Sequence, residues 1–116
     1  MGLQIRSPEP QIHTCQFAAA GATTSKTPVI VNSRVFIPLN SKGAGLQNSF
    51  VYRAEISGAP KAAGEAFNTG AAVYWNATNG NFTTTSAGAT LCGHVLEPSL
   101  AADATITGLV AFNSFA

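Results

Sequence analysis

Between Gly70 and Val95 the chain reads GAAVYWNATNGNFTTTSAGATLCGHV, and this stretch constrains the fold more than any other. Val73, Tyr74 and Trp75 form a dense β-branched and aromatic cluster, the types that suit a pleated, half-buried surface. Asn79-Gly80 follows, a dipeptide that tolerates positive φ at both central positions of a tight hairpin turn. Asn81 to Thr85 is rich in Thr and resumes extended structure. Ala87-Gly88-Ala89 interrupts it, and a third run spans Thr90 to Leu96. The stretch predicts strand, turn, strand, Gly break, strand, with Asn79 and Gly80 closing a hairpin between the Val73 and Phe82 strands.

The other segments repeat this alternation of short strands and breaks. Pro8 and Pro10 flank Glu9, and proline fixes φ and removes a donor, so residues 1–11 predict an extended N-terminal arm. Residues 12–116 then form a single β domain. Ile12 to Phe17 alternates as a strand, and Ala18 to Thr27 is a small, polar loop. Val29-Ile30-Val31 and Val35-Phe36-Ile37, separated by Asn32-Ser33, fit two short strands or one bent strand equally. Gly43 and Gly45 mark a turn. Phe50 to Ser57 alternates again, with Phe50, Tyr52, Ala54 and Ile56 on one face and Val51, Arg53 and Glu55 on the other. Gly58 to Asn68 has room for one helical turn, and Ala104 to Phe112 reads as the last strand. No segment sustains a 3.6-residue apolar period, which disfavours a helical fold. Short strands at this spacing predict a small all-β domain, a β-barrel or β-sandwich with little helix.

Charge decides which partners are reasonable. Only 9% of the 116 residues are charged, where about 25% is usual, and mean hydropathy is +0.18. No run approaches the ~18 apolar residues of a membrane span. The surface must therefore be largely Ala, Thr, Ser, Asn and Gly, and such a surface is poorly protected against association. Either the protein tolerates that exposure or partners cover it. The six Lys and Arg lie singly, with no basic stripe, so neither nucleic acid nor membrane is expected as a partner. The N-terminus shows no apolar signal region.

The sharpest chemical pattern is His13-x-Cys15 with Cys92-x-His94. Residues two apart on a strand share a face, so two such strands side by side could present a zinc set. Neither spacing is the usual one for structural zinc, and a free Cys is commonly a small buried hydrophobe. A Cys15–Cys92 disulfide is equally disfavoured. Asp103 and the glutamates at 9, 55, 65 and 97 form no spaced acid–base pair. Lys42-Gly43-Ala44-Gly45 lacks the ending of a phosphate loop. The residues thus assign no catalytic group, no cofactor site and no metal ligand. Tyr74 and Trp75 point to opposite faces of a strand, one to the core and one to an interface. Phe112 and Phe115 either anchor on a partner or close the barrel.

Gly70-Ala71-Ala72-Val73-Tyr74-Trp75-Asn76, Gly80-Asn81-Phe82-Thr83, Gly88-Ala89-Thr90-Leu91-Cys92-Gly93 and Ala101-Ala102-Asp103-Ala104-Thr105 follow one another in an order that resembles the phage capsid cement, or decoration, protein family. The resemblance covers about residues 28 to 113 and is densest over 70–105. Ala71 departs from it, standing where the family usually has Asp, and so do Cys92 and His94. It implies a non-enzymatic β protein on the outer surface of a phage head, made in the host cytoplasm, that clamps adjacent major capsid proteins. It also implies a homo-oligomer, a trimer in preference to a dimer, because neighbouring capsomers meet at three-fold positions. Leu3, Ile5, Pro8, Pro10, Phe112 and Phe115 are the expected contacts with capsid or sister subunits. The alternative is a virion-surface domain that binds host carbohydrate or a receptor through Tyr74 and Trp75.

Overall fold

The fold is built along one strand. In the computed structural model, which describes residues 3–6 and 12–113, β5 (Gln47–Ser57) runs for eleven residues and is paired on both edges. Its first half lies between β2 (His13–Ala18) and β4 (Arg34–Pro38), and its second half between β1 (Gln4–Ile5) and β9 (Leu109–Phe112). The sheet continues from β4 to β3 (Val29–Val31) and from β9 through β8 (Thr90–Glu97) and β6 (Ala72–Asn76) to β7 (Asn81–Thr83). Every ladder is antiparallel, and the sheet curls into a half-barrel without helix among the described residues.

The curl starts at a bulge. Thr14 pairs with Val51 and His13 with Arg53, so Tyr52 is an extra residue in β5. A bulge bends its strand and raises the local twist. Strict alternation therefore fails: Phe50 and Val51 are both buried, Tyr52 and Arg53 are both exposed, and Ala54 is buried again. Tyr52, expected beside Phe50 and Ala54, instead faces outward against His13.

Inside the curl, Val35, Ile37 and Val51 meet Ile56, Val73, Trp75, Phe82, Val95, Val110 and Phe112 in one core. Full burial of each large apolar side chain contributes about 1.5–3 kcal/mol. Ala59, Phe67 and Ile106 add to this core from connections. The stretch expected to hold a helical turn is pinned instead by isolated bridges, Pro60 to Thr105, Lys61 to Phe82 and Phe67 to Ser99. Pro60 and the left-handed Gly64 break helical geometry there, and Phe67 needs an extended approach to reach the core. The last strand is shorter than its sequence pattern, because the amides of Thr107 and Gly108 donate to the Ser99 hydroxyl and not to a ladder.

The two-residue hairpin lies elsewhere than expected. Asn32 and Ser33 have φ of 49° and 66° and join β3 to β4, with Val31 opposite Arg34. Two successive positive φ values are the type I′ geometry. The Asn79-Gly80 hairpin forms too, with Tyr74 opposite Thr83 and Asn76 opposite Asn81. Its loop is the four residues 77–80, and of the expected pair only Gly80 is left-handed, at φ 67°. The Asn76 side chain is the reason: its Oδ1 accepts the Asn79 amide at 2.9 Å while its carbonyl accepts Gly80 at 2.8 Å.

Candidate functional site

The residues expected to make contacts divide by burial. Leu3 is 4% exposed and sits in the core, and Ile5 packs against it. Gln4 lies opposite Ser57 and Ile5 opposite Ile56, and the Arg6 amide donates to the Glu55 carbonyl at 2.6 Å. Residues 3–6 thus extend the sheet along the edge of β5 that β2 also uses. Phe112 is 0% exposed beneath β5 and β8. These three side chains serve the domain's own packing. Pro8, Pro10 and Phe115 lie outside the described residues.

The two Cys–His pairs do not meet. β2 pairs with β5, whereas β8 lies between β6 and β9. Cys92 is buried, its thiol donates toward the Val73 carbonyl at 3.5 Å, and burial pushes its pKa up. Cys15 is half-buried, and burial raises its thiol as well. Among the described residues no group of three or more His, Cys, Asp and Glu could hold a metal.

Glu65 is a carboxylate with four hydrogen-bond donors around it. Its Oε1 accepts the Thr83 hydroxyl at 2.7 Å, the Thr84 amide at 2.8 Å and the Thr84 hydroxyl at 3.0 Å, and its Oε2 accepts the Thr85 hydroxyl at 2.9 Å. Burial opposes ionisation, but the bonds from Thr84, Thr83 and Thr85 outweigh it and lower the carboxyl from 4.5 to about 2. Beside it Lys61, 3% exposed, donates to the carbonyls of Ala62 at 3.0 Å and Glu65 at 2.6 Å and lies 5.2 Å over the Phe67 ring. This knot ties residues 61–67 to the end of β7. The Thr83-Thr84-Thr85 run was its visible signal, but nothing local links it to a glutamate 18 residues earlier. A folded-state pKa below the unfolded one stabilises above the unfolded value and loses that contribution as pH falls toward 2. Glu65→Gln is expected to lower stability by about 1–2 kcal/mol at neutral pH. The gap between the two proteins should narrow as pH drops from 4.5 toward 2, as urea midpoints across that range would read.

A second aromatic cluster lies on the outer side of β4 and β5. Phe17 stacks on Phe50 at 3.9 Å with planes 8° apart, and Phe36 meets Phe17 edge-on at 5.2 Å. Next to it is a groove of about 550 Å³ between the loop 18–23 and β3, and no lining residue is titratable. On the remaining part of the sheet Trp75 is 3% exposed and packs against Phe82 at 4.9 Å, while Tyr74 turns to the outer face beside the exposed Leu91. Of that adjacent pair, Trp75 is the core residue.

Curled antiparallel strands around a packed core, with an uncharged groove beside β3, describe a small all-β domain. Residues 8–111 match the family model of phage cement proteins, and the chain belongs to that family. Membership implies association with a phage capsid and a capsid-stabilising, structural role in the virion. No curated protein and no solved structure gives a significant match to the chain.

Proposed function

We propose that this protein is a cement of the outer head surface that clamps adjacent major capsid proteins. The observation that carries the reading is the family match over nearly the whole chain. Two properties support it. The chain has few charges to keep it apart from a neighbouring shell, and many copies on one head add avidity without new contacts. The protein acts as a homo-oligomer, a trimer in preference to a dimer, since closed symmetry is the default for identical chains. A standard contact of ~800 Å² per partner is within reach of a domain this size.

Pro8, Pro10 and Phe115 keep the contact role in this reading. Leu3, Ile5 and Phe112 contribute by fixing the chain on either side of those residues to the sheet. Deleting residues 1–11 would therefore unsettle the core as well as remove contacts. The host-binding alternative needs Trp75 open as a platform, and its burial stands against that.

Heads assembled without the protein are expected to open at lower temperature and under milder osmotic shock than complete heads. DNA release on a temperature ramp measures this. Equal robustness of the two kinds of head would end the cement reading and bring the host-binding alternative forward.

A further inference from the structure

We propose that Asn79 is a site of spontaneous covalent modification, where the side-chain amide is lost to the backbone nitrogen of Gly80, and that Asn76 restrains this reaction in the folded protein. The products are aspartate and isoaspartate at the tip of the β6–β7 hairpin. The proposal goes beyond the cement reading and does not depend on it.

The reaction needs an asparagine whose next backbone nitrogen is unhindered. Asn79 is the one asparagine of the chain followed by glycine, and the others precede Ser, Thr, Ala or Phe. A Cβ on the following residue crowds the approach of its nitrogen, and Gly80 has none. Both residues are exposed in the loop 77–80, so water reaches them. The Gly80 nitrogen gives its proton to solvent base and attacks Asn79 Cγ. A new N–Cγ bond closes a succinimide ring, the Cγ–Nδ2 bond breaks, and Nδ2 leaves as ammonia. Water then opens the ring. Opening at the side-chain carbonyl gives aspartate, and opening at the main-chain carbonyl gives isoaspartate, whose backbone is longer by a methylene. Nothing is oxidised or reduced, and water is the only co-reactant.

Asn76 holds the chain on both sides of the reacting carbon. Its carbonyl accepts the Gly80 amide at 2.8 Å, so the proton that must leave is already in a hydrogen bond. Its Oδ1 accepts the Asn79 amide at 2.9 Å, the self-capping use of an Asn side chain in a turn. Ring closure draws the Gly80 nitrogen onto Cγ, which turns that peptide plane and breaks the bond to the Asn76 carbonyl. Conversion therefore proceeds from a locally opened hairpin end. Asn76 and Asn81 are the last pair of that ladder, so only the end of the hairpin has to open. Without the Asn76 side chain, the Asn79 amide is released and Asn79-Gly80 can relax into a two-residue turn that leaves the Gly80 nitrogen free. The product carboxylate takes the formal net charge from +1 to 0. The added methylene of isoaspartate also shifts Asn81 against Asn76, which loosens β7.

The test incubates the full chain in mildly alkaline buffer, folded and in urea. Peptide mapping reads isoaspartate at residue 79, and isoelectric focusing reads the new charge. The wild type should convert at least about fivefold more slowly folded than in urea. Folded Asn76→Ala should convert at least about fivefold faster than the folded wild type, whereas Asn76→Asp, which keeps a side-chain acceptor, should stay within about twofold of it. Asn79→Gln should gain no charge at this position. Thermal melts show which variants are folded during incubation, and the wild-type comparison with urea stands even if Asn76→Ala is not. No isoaspartate at residue 79 in urea overturns the site. Equal wild-type rates in buffer and urea, or equal rates for folded wild type and folded Asn76→Ala, overturn the restraint by Asn76.

Discussion

Gly93→Ala is expected to lower the melting temperature of the domain by roughly 15 °C or more, from a loss of about 4 kcal/mol. A methyl group at this position would lie 2.2 Å from the Ala111 carbonyl oxygen and 3.3 Å from the Phe112 Cα. Both are backbone atoms of β9, so no flexible side chain can move aside. Nor can β8 give way, because Gly93 is held between Val73 on β6 and Phe112 on β9. Relief requires β9 to move away from β8, which opens the ladder and lifts Phe112 from the core. Against a total stability of about 5–15 kcal/mol, that loss is large. The matched control is Gly21→Ala, where the added carbon meets open space. Calorimetry should place the control within a few degrees of the parent, and a Gly93→Ala melt equally close would refute the tight β8–β9 approach.

Phe112→Ala carries the second large effect, about 3–5 kcal/mol of lost stability in the isolated domain. The ring is fully buried where β5, β8 and β9 meet, and its removal leaves a cavity that surrounding strands can only partly fill. The measurement also separates two roles for this residue. A side chain that served only a partner would leave the free domain's urea midpoint unchanged on truncation. The exposed Leu100, truncated in parallel, should stay within about 0.5 kcal/mol of the parent.

Strand content was legible because its signal is local. Alternation and β-branched composition act over two or three residues, and Val73-Tyr74-Trp75, Asn81 to Thr83 and Thr90 to Leu96 all fall in strands. Breaks at Gly45 and Gly80 were legible for the same reason, since these turns use left-handed backbone at their own residues, whereas the sequence left open whether Asn32-Ser33 is a turn or a bend. Even the family could be read at this level, from the order of short blocks between Gly70 and Thr105.

What the sequence determined by itself was an all-β domain, its approximate strands and turns, and its kinship with phage cement proteins. The width of the Asn79-Gly80 turn is local as well, because the Asn76 side chain, three residues earlier, accepts the Asn79 amide and widens the loop. Tertiary structure decided that Tyr52 faces outward, since the bulge depends on how β2 registers on β5, 40 residues apart in the pair His13 and Arg53 (53 − 13). The burial of Leu3, the knot between Glu65 and its threonines, and the groove beside β3 have the same origin. Each depends on which segments lie side by side across the curled sheet, and that pairing is set by the collective burial of one core, to which no single stretch of the chain holds the key.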